Sequence, residues 1–382
     1  MHVHSRRSFL AQTFGASFIG ASVMEQAVLR AAQARAQSTT ERAVLFDLEK
    51  VTEGVYAAVA RPTAQINCNA AIFENANDLM IVDTHSSPSA VAALVGQVRR
   101  EITQKPIRYI VNTHFHADHV LGNPAYRRIA PHAEIVSSTV TRKLIAELDP
   151  GHLKSFLDSV PKALEDHRAK LAAAKSLEEK AYYEGMISQT RAYMSEMRDY
   201  ALDLPNVTFQ DNLVLHDKAH DLHLAFRGRG HTAGDIVVFC PQKKVIASGD
   251  LAHGFLPYIG DGYPREWPGT LKSVAQFDFT QIIGGHGAVQ HGRDRMGQMT
   301  AYIEELVTAV ESGKREGHTI EELQGTVTSA ALKSLQRDGY GEFVSASLMR
   351  YTPGPPERTL AEILSSSVKE NVASTYRALE RT

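Results

Sequence analysis

Apolar positions recur at two spacings along this chain, and the spacings divide it into elements. Residues 51–59, 69–74 and 79–83 alternate or run apolar over short stretches, which predicts strands. The tetrapeptide N-A-N-D at 75–78 tolerates tight-turn angles and joins the last two as a hairpin. Residues 89–102 instead place Val91, Leu94, Val95 and Val98 at helical spacing. A strand over 107–111, a helix over 121–129 and a short strand over 133–137 follow.

The next sixty residues, 140–200, are almost wholly helical in character. Pro150-Gly151 and Pro161 punctuate them, and 162–175 and 177–202 read as two longer helices beyond those breaks. Leu164, Leu171, Tyr183, Ile187, Tyr193, Met194 and Met197 supply their apolar faces. This hairpin reads as an insertion, with three roles open: a lid, a dimer contact or a packed ornament. Short strands return over 207–226, then a glycine-rich turn over 227–232 and a hairpin of 236–240 with 244–248. A helix over 267–277, a buried strand at 282–283 and a helix over 299–313 complete the pattern. Beyond Thr319 a helical tail packs on the domain, broken by T-P-G-P-P at 352–356.

Composition narrows the function classes. Lys+Arg number 41 against 43 Asp+Glu. Residues 1–36 hold four of the arginines and one glutamate, leaving 37 against 42. A mildly acidic remainder lacks the electrostatic footprint of a nucleic-acid binder. Two cysteines make no disulfide framework. Cys240 reads as a small core hydrophobe, whereas Cys68 lies in a polar loop over 61–68 that borders the site and leaves its thiol accessible.

The N-terminus carries S-R-R-S-F-L at 5–10, an apolar stretch over 11–23, and A-x-A sites ending at Ala34 and Ala36. The pattern resembles a twin-arginine export signal over 1–36, followed by a polar tether. Its apolar run is shorter than the ~20 residues of a membrane span. The expectation is a periplasmic protein, exported folded, with no stable membrane insertion after cleavage.

The chemistry concentrates in V-N-T-H-F-H-A-D-H-V-L-G-N at 111–123, directly after an apolar strand. His114, His116, Asp118 and His119 fall within six residues, and imidazole and carboxylate are the ligands of zinc and related ions. On a strand extension His114 and His116 point the same way. If a helix begins at Ala117, Asp118 and His119 diverge toward a second ion, or one of them acts as a base.

This run resembles the H-x-H-x-D-H motif of the metallo-β-lactamase superfamily of hydrolases. The family's other motifs follow in order over roughly 45–300. They are Asp83 in L-M-I-V-D-T-H, His231 in G-R-G-H-T-A-G-D, Asp250 in V-I-A-S-G-D and His286 in I-I-G-G-H-G. The resemblance implies a four-layer αββα sandwich over 37–315, with a helical insertion at about 140–202 and a helical C-terminal extension over 316–382. It also implies a binuclear site holding two Zn2+, with iron or manganese as alternatives. His114, His116 and His231 would hold the first ion, and Asp118, His119 and His286 the second. Asp250 would bridge them, as in the glyoxalase II, lactonase and phosphodiesterase branches. Asp83 would fix the orientation of a ligating imidazole.

The implied activity is hydrolysis of a small-molecule ester, lactone or amide by attack of a metal-activated hydroxide on the carbonyl, with Asp118 steering its proton. No G-x-S-x-G occurs, so no acyl-enzyme is expected. His85, His253 and Arg229 are candidates for substrate contact at the mouth, and an ordinary salt bridge competes for Arg229. His216, His220 and His223 read as surface residues. The alternatives are a mononuclear iron persulfide dioxygenase of the same fold, a β-lactamase, and a non-catalytic metal-binding module. Asp250 and the lack of a ligand cysteine disfavour a dedicated β-lactamase, and an alkylsulfatase is set aside because its larger layout has no clear counterpart. The insertion is also the surface offered for a homo-oligomer.

Overall fold

The computed structural model describes residues 44–62, 67–351, 355–356 and 358–380. The expected export signal at 1–36, the expected tether, the centre of the 61–68 loop and most of the proline-rich break therefore lie outside the described residues. Among the described residues no helix is long and apolar enough to cross a membrane.

Two sheets form the centre. The first has seven strands in sequence order: β1 (Phe46–Thr52), β2 (Val55–Ala60), β3 (Ala70–Glu74), β4 (Leu79–Val82), β5 (Ile107–Val111), β6 (Glu134–Ser138) and β7 (Val207–Phe209). The second has six: β8 (Asn212–Leu215), β9 (Leu222–Phe226), β10 (Ile236–Cys240), β11 (Val245–Gly249), β12 (Gln281–Gly284) and β13 (Gln290–His291).

The layering follows from the two-residue period of strands. Along β10, Ile236, Val238 and Cys240 face the layer between the sheets, while Val237 and Phe239 face the outer one. Both faces are covered, which is why β10 reads as an unbroken apolar run. In β2, Ala57 and Val59 point inward, and Ala58 and Ala60 meet helices α1 (Pro88–Glu101) and α3 (Asn123–Ile129). On the other side, α6 (Trp267–Val274) and α7 (Asp294–Arg315) cover the second sheet. The fold is the expected αββα sandwich with a helical C-terminal region. Helices α8 (Ile320–Thr326), α9 (Lys333–Gln336), α10 (Tyr340–Tyr351) and α11 (Leu360–Ala378) share the apolar layer of α6 and α7 through Leu323, Leu335, Val344, Val368 and Val372.

The insertion differs in one respect from the sequence pattern. Its first helix, α4 (Thr139–Ala173), runs unbroken through Pro150 and Pro161. Each proline removes one backbone bond, but apolar contacts lie on both sides of the breaks. Leu153 and Leu157 pack toward Tyr193 and Met197 of α5 (Leu177–Met197), and Val160 and Leu164 pack toward Ile187. That burial outweighs the local penalty.

Candidate metal centre

Strands β4, β5, β11 and β12 all release their chains at the same edge of the sandwich, because β4–β5 and β11–β12 are parallel pairs. The loops at the carboxyl ends of parallel strands are where α/β folds assemble sites. Asp83 follows β4, His114 follows β5, Asp250 follows β11 and His286 follows β12. The fifth loop, with His231, is tied in by the Ile236 N–H donating to Thr113 O at 3.0 Å. Asn69 stitches the sheets by donating to Gly284 O and Gly287 O at 3.0 and 2.8 Å.

His116 is the N-cap of the short helix α2 (Ala117–Val120), so the chain leaves the strand direction there, separating the His114–His116 pair from Asp118 and His119. His114, His116 and His231 form one cluster, with ring centroids 4.6–4.8 Å apart and planes 83–87° to one another. Asp118, His119 and His286 form another. Asp250 stands between them: Oδ1 is 3.5 Å from His119 Nε2, and Oδ2 is 3.3 Å from His286 Nε2 and 3.6 Å from His231 Nε2.

Tautomers follow from what lies behind each ring. The His119 Nδ1–H donates to Asp83 Oδ2 at 2.8 Å, the His231 Nδ1–H to Tyr258 O at 3.1 Å, and the His116 Nε2–H to Asp261 Oδ2 at 3.0 Å. Thr113 Oγ1 donates to Asp83 Oδ2 and accepts from the His114 Nδ1–H at 3.0 Å. In the His114–His116–His231 cluster every forward nitrogen is then a lone pair aimed into one cavity. His116 Nδ1 and His231 Nε2 face each other at 2.8 Å, and His114 Nε2, His119 Nε2 and Asp250 Oδ1 are buried without a hydrogen-bond partner. Converging acceptors with no donor are destabilising unless a cation lies among them. The donor set of five imidazoles and two carboxylates fits divalent metal.

Electrostatics agree with that demand. Burial, with neighbouring imidazoles, holds His114 far below the usual histidine range and brings His231 down to about 3, so both are neutral. At His286 burial opposes the charged form, but Asp250 and Asp118 outweigh it and push the pKa up to about 9. Burial opposes ionisation of Asp118, yet His119 and His286 bring it down to about 2. The carboxylate side of the cavity thus pairs a protonated His286 with ionised Asp118 and Asp250.

Glycine is required beside Asp250. A methyl group at Gly285 would overlap Asp250 Oδ1 and lie 2.7 Å from His119 Cε1.

Two of the three candidates for substrate contact are engaged by other groups of the chain. His85 is fully buried, its Nδ1 donating to Cys68 O at 3.0 Å and its ring 4.4 Å from Phe46. Arg229 is committed to Glu266 by two charge-assisted bonds and lies over the Tyr263 ring, which is the salt-bridge alternative. His253 is buried with its ring centroid 5.8 Å from that of His286, and its Nδ1 accepts from the Phe255 N–H. Cys68 is likewise buried, not accessible, and burial pushes its thiol up to about 12. His220 is buried against Asn75 rather than on the surface, while His216 is exposed. Pattern reading missed Asp261 and the Tyr258 carbonyl: Y-I-G-D-G-Y carries no motif, and a backbone carbonyl leaves no trace in sequence.

The fold and this cavity define a class, and comparison with known proteins gives it its family. The profile of the metallo-beta-lactamase superfamily matches residues 64–286, so the chain belongs to that superfamily of metal-dependent hydrolases. A linear primary-alkylsulfatase from Pseudomonas sp. (strain ATCC 19151) is 23% identical over 259 residues, covering 63% of this chain and 45% of that protein. A metallo-beta-lactamase type 2 from Elizabethkingia meningoseptica is 25% identical over 130 residues, covering 30% of this chain and 51% of its own length. The chain thus spans about half the length of these curated relatives. A solved metallo-beta-lactamase from Pontibacter korlensis shares the fold, with a TM-score of 0.50 and 18% identity over 68% of this chain and 99% of that one.

Proposed function

We propose that this chain is an exported binuclear zinc hydrolase that cleaves a small-molecule ester, lactone or amide. The observation that carries the reading is the position of Asp250, within 3.6 Å of imidazole nitrogens from both clusters. His114, His116 and His231 would hold one ion, Asp118, His119 and His286 the other, and Asp250 would serve both. When bound, such ions supply Lewis acidity and lower the pKa of water toward neutrality. The remaining work belongs to the chain. Asp83, Tyr258 O and Asp261 hold the imidazoles in the tautomers that present lone pairs. Asp118, ionised at neutral pH, is placed to accept a proton from the attacking water. Phe255, stacked at 14° on His286, limits water on that side.

A second reading is favoured by one comparison. The alkylsulfatase relative matches 63% of this chain, whereas two type 2 metallo-beta-lactamase relatives match 30% and 41%. That supports a sulfate ester as a substrate class set aside on sequence pattern alone.

Metal analysis with a substrate panel tests both. Two zinc ions per chain with turnover of lactones or carboxylic esters fits the first reading. Selective release of sulfate from primary alkyl sulfates would move the assignment to the second. One iron and no zinc would overturn both in favour of a dioxygenase. Replacing Arg6 and Arg7 with lysine tests export: the variant is expected to stay in the cytoplasm, and normal delivery to the periplasm would refute the twin-arginine reading.

A further inference from the structure

The segment from Gly254 to Tyr263 holds none of the seven candidate ligands, yet it touches both clusters. Its first residue donates N–H to His286 O at 2.9 Å, and its last donates to Gly230 O, beside His231, at 2.8 Å. Between these anchors, Tyr258 O accepts from His231 Nδ1 and Asp261 Oδ2 accepts from His116 Nε2. The middle of the segment is held from the C-terminal helix. Asn371 of α11 donates one amide hydrogen to Pro257 O at 2.8 Å and the other to the Tyr302 hydroxyl of α7 at 3.0 Å. Asn371 and Tyr302 are both buried, among apolar neighbours such as Val368 and Val372. A buried amide left unpaired is destabilising, so these two bonds fix where Asn371 lies and, through it, where Pro257 lies.

We propose that Asn371 is a positioning residue for the His114–His116–His231 cluster, acting through Pro257 to hold Tyr258 O and the Asp261 carboxylate behind His231 and His116. The inference rests on reading that cluster as a metal site. Partners behind a ligating imidazole set its tautomer, its aim and its basicity. Two of the three imidazoles here take that partner from five consecutive residues, 257–261, so a shift of this one stretch misaligns both. His119 takes its partner, Asp83, from the loop after β4. Loss of the Asn371 anchor therefore weakens one half of the centre and spares the other.

The test is Co2+ affinity by chelator competition, read through ligand-field absorption, in two backgrounds. His286→Ala keeps the three-histidine cluster intact, and His231→Ala keeps the Asp118–His119 side. Asn371→Leu approximates the size but cannot donate to Pro257 O. It is expected to weaken Co2+ by about 10- to 100-fold in the first background and to leave the second unchanged. Asp261→Ala should give the same selective loss, and Asp261→Asn should recover part of it, since the amide oxygen still accepts from His116. Circular dichroism establishes that each variant is folded, and if Asn371→Leu is not, Asp261→Ala decides. Unchanged affinity in folded variants, or equal losses in both backgrounds, overturns the inference alone. A wild-type chain that takes up no Co2+ overturns the metal reading and the inference with it.

Discussion

Asp83 Oδ2 lies 2.8 Å from Nδ1 of His119, with both side chains buried. The same carboxylate accepts from the Thr113 N–H and hydroxyl, so it organises two imidazoles, one directly and one through Thr113. Its backbone is left-handed, φ 68°, a conformation asparagine tolerates and most residues do not. Asp83→Asn keeps that backbone and one acceptor oxygen while removing the charge. We expect zinc at the Asp118–His119–His286 side to bind about 10- to 100-fold more weakly, with a lower melting temperature as well, because the amide nitrogen then faces a buried N–H or O–H donor. Unaltered zinc stoichiometry under chelator challenge would show that Asp83 has no such role.

Asp250 is expected to decide whether the two ions coexist. A carboxylate between them offsets their repulsion at the ~3.5–4 Å separation of two-metal sites. Asp250→Ser shortens the side chain and removes the charge. Retention of one zinc, loss of the second, and a fall in turnover of at least ~100-fold are expected, on the scale of removing an electrostatic catalytic element. Two tightly held zincs with normal turnover would exclude bridging.

Uptake of metal should carry a pH signature that differs between the halves. His286, raised to about 9, and His119, also raised, must lose protons before they can ligate, whereas His114 and His231 are already neutral. Affinity at the Asp118–His119–His286 side should therefore climb with pH up to about 9, with protons released on binding. In the metal-free chain the sign reverses. A histidine raised from 6.5 to about 9 contributes stability that is complete below pH 6.5 and lost as pH rises through 9. Calorimetry in buffers of different ionisation enthalpy counts the protons, and melting of chelator-treated protein checks the second trend. No proton release between pH 6.5 and 8 would contradict the assignment.

Gly285→Ala should behave as a site lesion more than a fold lesion. The added methyl must displace Asp250 or the His119 ring. Overpacking of this kind costs about 1–3 kcal/mol, and Asp250 is the group that yields. The expected result is a folded chain with the second zinc lost. Alanine there with full zinc content would show that the pocket has slack.

Local chemistry made much of this protein readable from its sequence. The alternation in β2 and the unbroken run of β10 follow from burial on one or both sheet faces, a two-residue rule visible in any window. The turn at His116 into a helix separates two ligand pairs within six residues, so H-x-H-x-D-H carries its geometry with it. Contacts between distant loops were decided only by the folded chain. His85 and Asp83 are two positions apart and share positive φ, yet one supports His119 and the other is sealed beneath Phe46. Pro150 and Pro161 carry a helix-breaking signal that packing against α5 overrides. Asp261 meets His116 across 145 positions, and Asn371 reaches Pro257 across 114. Pairings at such separations depend on where the sandwich brings its loops and its last helix, and no periodicity or motif encodes that placement.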